Sequence, residues 1–138
     1  VSIKEIQDYI LPAICNRTGI SSFRLPTEDE WEYACRAGTI SKYNNGSDDE
    51  TRLSDIARYG QYPYFGWHVP VGSYLPNAWG LYDMHGNVKE WVKQQKSSYR
   101  VLRGGAFDNN ASECTSSYVT GNLPEYGGYG FRLFADIE

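Results

Sequence analysis

The chain has 138 residues, which one domain with a substantial core accounts for and which does not require a second. An apolar fraction of 41%, with 4 Trp, 12 Tyr, 5 Phe and 14 Gly, argues against disorder and for many packed turns under an aromatic-rich surface. The net charge of -4, with no run of Lys or Arg, argues against nucleic acid as a partner, and no stretch approaches the roughly 20 apolar residues that would insert directly into a bilayer.

Ser2 and Glu5 have capping-box spacing, and Ile6, Tyr9 or Ile10, Ala13 and Ile14 then form one apolar stripe. The pattern predicts an amphipathic helix over about 3–16, rather than a signal peptide, with Pro12 as a kink and Gly19 as its stop. Ser22 to Leu25 reads as a short extended segment before Pro26. A second helix starts at the Thr27/Glu30 capping box, with Glu28, Asp29 and Glu30 at its positive end, Trp31, Ala34 and Cys35 inward, and Gly38 as its stop.

The stretch from Ser41 to Ser54 is rich in Ser, Asn, Gly and Asp and reads as a surface loop whose Asp48, Asp49 and Glu50 are solvated. From Tyr59 helical period disappears. The pieces Tyr62 to Trp67, Val69 to Gly72 and Tyr74 to Pro76, broken by Pro and Gly, read as short strands and structured loops. Val88 to Val92 and Tyr99 to Leu102 are strand candidates, a polar and aromatic segment without period covers 109–130, and Phe131 to Phe134 closes the chain. Two early helices feeding a strand-and-loop body define an α+β domain over 1–138, with no internal repeat and no linker.

Cys15, Cys35 and Cys114 are distant, odd in number and lack CxxC spacing, so buried reduced thiols are expected rather than a disulfide framework or a zinc site. Asn16, Asn45 and Asn110 match the glycosylation pattern, which carries weight only in a secretory context.

Several segments in order carry a resemblance: Arg24 to Ala34 (RLPTEDEWEYA), Pro70 to Ser73 (PVGS), Asn77 to Trp91 (NAWGLYDMHGNVKEW), Arg103-Gly104-Gly105 and Gly130-Phe131-Arg132. Together they resemble the formylglycine-generating, or sulfatase-modifying-factor, domain over nearly the whole chain. The resemblance implies a variant of the C-type lectin fold with long structured loops around a small sheet. It also implies a place for two cysteines after the Gly-Gly turn, where the catalytic members are copper-dependent cysteine oxidases. Asn109 stands at the first of these positions and Cys114 at the second. Asn has no soft thiolate for Cu(I), so the expectation is that the chain is not an enzyme and needs no cofactor. His68 and His85 have no partner at metal or triad spacing, and Cys114 reads as a small buried hydrophobe beneath the loop face.

The segment from 104 to 132 also resembles the variable region of diversity-generating-retroelement target proteins. That likeness implies a hypervariable surface for a protein or cell-surface ligand, displayed on a virion or cell. The binding face is then expected on Phe107, Asp108, Asn109, Asn110, Ser112, Ser116, Ser117, Tyr118, Thr120, Asn122, Tyr126, Gly128 and Tyr129, where Tyr and Phe supply contact area and short polar residues adaptable hydrogen bonds. Gly104 and Gly105 mark its scaffold, permitting a tight turn. The alternatives are a binding or assembly module without diversification and, third, a cysteine oxidase.

The family resemblance further implies a structural calcium ion on Asp83 and Glu90 side chains and the Gly86 and Val88 carbonyls, oxygen donors suited to a hard cation. The competing reading is that Asp83 caps a turn and Glu90 pairs with a base. Trp31, Trp79 and Trp91 are expected in the core.

Overall fold

The structure, a computed structural model, describes residues 1–61 and 66–137. Tyr62, Pro63, Tyr64 and Phe65, the first part of the run read as short strands and loops, lie outside the described residues.

The N-terminal box forms as the spacing predicts: the Glu5 N–H donates to Ser2 Oγ at 3.2 Å, and the Ser2 N–H donates to the Glu5 carboxylate at 2.7 Å. Helix α1 (Ile3–Glu5) runs into a π-helical stretch (Ile6–Ile10) and then α2 (Leu11–Thr18). The π stretch explains how a helix contains Pro12. Proline lacks an N–H and its ring crowds the turn before it; widening that turn, with the Leu11 N–H bonded to the Ile6 carbonyl, relieves both. Gly19, at φ 74°, ends α2 in the left-handed conformation.

Strand β1 (Phe23–Arg24) pairs antiparallel with β5 (Phe134–Ala135), joining the early and late parts of the chain. Helix α3 (Glu28–Arg36) carries the Thr27/Glu30 capping box. Its left-handed C-cap is Ala37 at φ 46°, one residue before the expected Gly38. Strands β2 (Glu90–Lys96), β3 (Tyr99–Arg103) and β4 (Val119–Asn122) form an antiparallel sheet in that order. The strands expected at 88–92 and 99–102 fall on β2 and β3, whereas 69–72 and 74–76 stay irregular between their prolines and glycines.

Three buried groups make the core. Trp31, Ala34 and Cys35 of α3 pack on Met84, Val92 and Val101. Ile3 and Ile6 pack with Leu25, Trp91 and Leu102 on the other side. The third group, Tyr43, Leu53, Ile56, Ala57, Ala111 and Cys114, corrects the reading of 41–54 as surface only. Tyr43 and Leu53 are fully buried, residues Glu50–Asp55 form a 3-10 turn, and the Tyr43 hydroxyl donates to the Ala111 carbonyl at 3.0 Å. The loop thus anchors the segment that carries Cys114.

Trp31 and Trp91 are buried, but Trp79 is 48% exposed and meets the 70% exposed Tyr33 edge-on at 4.9 Å, so neither Trp79 nor Tyr33 is core. Asn77 is the reason. Its buried side chain donates to the Ala34 carbonyl (2.8 Å) and accepts from the Trp79 and Leu81 N–H groups (both 3.0 Å), turning the loop so that Leu81 packs inward and Trp79 outward.

Arg103, at the end of β3 and almost fully buried, ties helix to sheet. It donates to Glu28 (3.0 Å), to Glu32 and to the Ser116 carbonyl (2.8 Å), with its guanidinium 5.5 Å from the Trp31 ring centre.

Candidate functional site

Immediately after Arg103 the chain makes two left-handed residues, Gly104 (φ 95°) and Gly105 (φ 70°). A Cβ on Gly104 would lie 3.1 Å from the Trp31 ring and one on Gly105 2.5 Å from Cys114 Sγ, so only glycine fits this close approach. The next turn is closed by Asn109, whose Oδ1 accepts the Ala106 N–H at 2.9 Å. From outside, the Gly60 and Gln61 N–H groups donate to the Asn109 and Phe107 carbonyls, both at 2.8 Å. The 3-10 turn Ala111–Glu113 follows, with the Asn110 N–H donating to the Glu113 carboxylate at 2.9 Å and the Glu113 N–H to the Asn110 carbonyl at 3.0 Å. The backbone of 104–114 is therefore fixed by its own bonds and by loop 60–61.

Beneath this arc lies a buried polar floor. His85 Nε2 accepts the Asn44 N–H at 3.0 Å, so its Nδ1 carries the proton and donates to the Cys114 carbonyl at 2.6 Å. Burial holds this imidazole neutral and lowers its pKa to about 4. Cys35 Sγ stands 3.6 Å from the same Nε2. The Cys114 thiol is fully buried, contacts the Ala106 carbonyl at 3.9 Å, and is pushed up to about 12 by burial. It is a protonated thiol, and Asn109 is a turn tie; the two positions do not make a paired thiolate site.

The thirteen residues expected to bind divide sharply. Asp108, Asn110, Ser112 and Ser117 are exposed around the arc, and Tyr126 and Gly128 are exposed beyond β4. Phe107, Asn109, Tyr118, Thr120 and Asn122 are half-buried. Tyr129 is also half-buried, edge-on to Trp91 at 5.0 Å, and its hydroxyl accepts from Asn122 Nδ2 at 2.6 Å, which makes this pair part of the scaffold. Ser116 is a correction: it is 0% exposed, with its N–H and hydroxyl both donating to the Lys42 carbonyl, at 2.9 and 3.1 Å.

Sequence reasoning missed two members of the surface. Trp67, 77% exposed, and His68 each place a ring centre 6.5 Å from that of Phe107. They come from the Pro- and Gly-broken run, where no period marks which aromatic faces outward; a tryptophan in such a run was the available signal.

The expected calcium donors lie on the turn from Asp83 to Glu90. Asp83, at φ 58°, accepts the Gly72 N–H on Oδ2 at 2.8 Å, while Oδ1 is buried without a partner. Glu90 Oε1 accepts from Arg132 at 2.6 Å, and Oε2 from Arg132 at 2.7 Å and Trp31 Nε1 at 2.8 Å. Asp83, Gly86, Val88 and Glu90 do not fit a calcium cage as a set, because the guanidinium already neutralises Glu90. Among the described residues no cluster of three or more His, Cys, Asp or Glu is arranged to hold a metal. No helix among them is long and apolar enough to cross a membrane.

The helices, the antiparallel sheet and the loop-borne face define an α+β domain of the class seen in the structure of PvdO from Pseudomonas aeruginosa. That chain superposes with a TM-score of 0.74 at 26% identity, over 91% of this chain and 55% of that one. The finer lectin assignment is not specifically supported by that likeness. Treponema denticola variable protein 1 is similar too, with a TM-score of 0.71 and 34% identity over 80% of this chain and 46% of that one. A formylglycine-generating enzyme of Mycobacterium tuberculosis is 44% identical over 78 residues, which are 50% of this chain and 26% of that protein. The profile of the sulfatase-modifying factor enzyme 1-like domain family matches residues 7–137, and the chain belongs to that family.

This corrects the expectation that the chain is not an enzyme: the family and the enzyme-named relatives mark an enzyme-like domain. Membership is also consistent with a structural calcium ion, although Glu90 is not a free donor for one. The chain spans about half, or less, of the length of these relatives.

Proposed function

We propose that this enzyme-like domain recognises a polypeptide ligand through the arc from Phe107 to Tyr118, extended by Trp67 and His68. One observation carries the reading: exposed Asp108, Asn110, Ser112 and Ser117 stand on a backbone whose bonds are satisfied from below and from the side, which pre-organises them at little entropy cost. Phe107 and Trp67 supply aromatic area, and the short polar side chains adjust hydrogen bonding to the ligand. The likeness to the Treponema variable protein supports use of this scaffold for display, and a lectin-type variant of the fold is part of the proposal. Diversification is its narrower form; an adenine-biased near-copy of the coding segment for 104–132 beside a reverse transcriptase gene is what that form requires. The test selects peptides on the intact chain from a random display library, then measures their binding to the double variant Asp108→Ala/Asn110→Ala. At least a tenfold loss is expected; selected peptides that bind the variant equally and footprint elsewhere defeat the proposal.

The enzyme-named relatives favour a second reading, in which a peptide thiol bound on the surface above the buried Cys114 is oxidised, with dioxygen accepting the electrons. Copper-dependent peptide-thiol turnover that Cys114→Ser abolishes supports it, and turnover indifferent to that substitution removes Cys114 from it.

A further inference from the structure

The two edges of the β2–β3–β4 sheet differ. Along β2 the outer edge is taken: the Trp91 N–H donates to the Gly130 carbonyl at 3.0 Å and the Lys93 N–H to the Pro26 carbonyl at 2.8 Å. Along β4 it is open, since among the described residues Val119–Asn122 make backbone bonds to β3 alone. In an antiparallel pair alternate residues turn both N–H and C=O away from the partner, so this strand presents a row of free donors and acceptors to an added strand. Its sequence, Val-Thr-Gly-Asn, carries no Lys, Pro or bulge, which are devices that keep an exposed edge from pairing.

Beside this edge lies a groove of about 450 Å³ between Tyr99, Val101, Val119 and Gly121, within the range of about 300 to 1,000 Å³ typical of ligand sites. Gly121 pairs with Val101 and Lys96 with Tyr99, so by strand alternation these four and Val119 share one face of the sheet. A Cβ on Gly121 would lie 2.8 Å from the Arg100 carbonyl oxygen, which keeps β4 bare at that point. The side chain of an added-strand residue opposite Gly121 therefore enters the groove unobstructed. Lys96 and Arg100 line the groove and no carboxylate does, and among the described residues neither forms an ion pair. We propose that the polypeptide ligand is held as an extended strand added to β4, with a glutamate opposite Gly121 whose methylenes pack on Tyr99 and Val119 and whose carboxylate accepts a charge-assisted bond from Lys96. This rests on the reading of a polypeptide ligand and fixes its form: β4 begins at the residue after Tyr118, so the edge continues the arc.

The test uses the intact chain and peptides selected on it from a random display library, the tightest being resynthesised with a backbone N-methyl group at each position in turn. An added strand turns only every second N–H toward β4, so N-methylation should weaken binding by about fivefold or more at alternate positions of the bound segment and little between them. Lys96→Glu, at an exposed side chain outside the arc, should weaken binding by about fivefold or more, and replacing the peptide's glutamate by glutamine should remove that dependence. The double variant Asp108→Ala/Asn110→Ala separates this inference from the reading it rests on. Peptides that lose affinity for that variant yet tolerate every N-methyl group and Lys96→Glu overturn the added strand and leave the polypeptide face standing. Peptides that show the alternating loss but ignore the arc variant support the added strand and count against the arc. A dimer of the unliganded chain that the peptides do not displace would assign the edge to a second copy and overturn the proposal.

Discussion

Ser116 and Ser117 are neighbours in the chain and belong to different regions of the molecule. Ser116 lies in the floor, fully buried, with its N–H and hydroxyl on Lys42 and its carbonyl receiving Arg103. Ser117 lies in the face, exposed. The floor is a network of buried, hydrogen-bonded polar groups running through Arg103, Ser116, Cys35, His85 and the Cys114 carbonyl. The face above it carries the exposed side chains of Asp108, Asn110, Ser112 and Ser117. Stability and recognition are thus divided between adjacent residues, and substitutions should separate them.

The largest effects belong to the interior. Trp91→Ala removes a fully buried indole that also donates to the Val1 carbonyl at 3.0 Å, and should cost about 3–5 kcal/mol in a urea unfolding experiment, enough to unfold much of the population. Arg103→Ala should cost on the order of 3 kcal/mol, because Glu28 and Glu32 lose the buried cation that joins α3 to β3. A near-native melting temperature in either variant would break the division between floor and face.

The floor should also respond to acid. Burial lowers the His85 pKa from 6.5 to about 4, so between these values the unfolded chain binds a proton that the folded chain refuses. The His85 contribution is complete above about pH 6.5, declines as pH falls, and is lost by about pH 4. Its size is on the order of 3 kcal/mol. Glu30, held down to about 2 by Arg24, loses its contribution in a lower window, from about 4.5 to 2, so the two can be told apart. His85→Gln should flatten stability between pH 4 and 6.5; an unchanged slope would assign the titration elsewhere.

Smaller effects are expected outside the floor. Trp79→Ala, at a half-exposed ring resting on Tyr33, should cost no more than about 1 kcal/mol. Asp108→Ala and Asn110→Ala, in the face, should each stay within about 1 kcal/mol by thermal melts, because both side chains are exposed.

Local chemistry made much of this legible before the coordinates. Both capping boxes, the stop at Gly19, the two hairpin strands and the Gly-Gly turn follow from short-range rules, because each rests on residues within a few positions of one another. The misses share a different cause. Trp79 is exposed because a distant Asn77–Ala34 bond turns the loop, and Tyr43 in the segment read as surface is held inside, its hydroxyl donating to the Ala111 carbonyl 68 residues away. Ser116 reads like its polar neighbours until Lys42 and Arg103 reach it. For Glu90 the alternative of pairing with a base is open in the sequence, and the base is Arg132, 42 residues on, which donates to both its oxygens. Polar residues in irregular segments reveal their roles only through partners that sequence order does not bring near.

The most direct measurement compares Ser117→Ala/Asp108→Ala with Ser116→Val, each assayed for thermal stability and for affinity toward a peptide selected on the unmodified chain. The face double should lose at least tenfold in affinity with its melting temperature nearly unchanged, while Ser116→Val, which strips a hydrogen bond from the floor, should lower the melting temperature first. Retained affinity in the face double together with lost affinity in a fully stable Ser116 variant would contradict a recognition surface built on this arc.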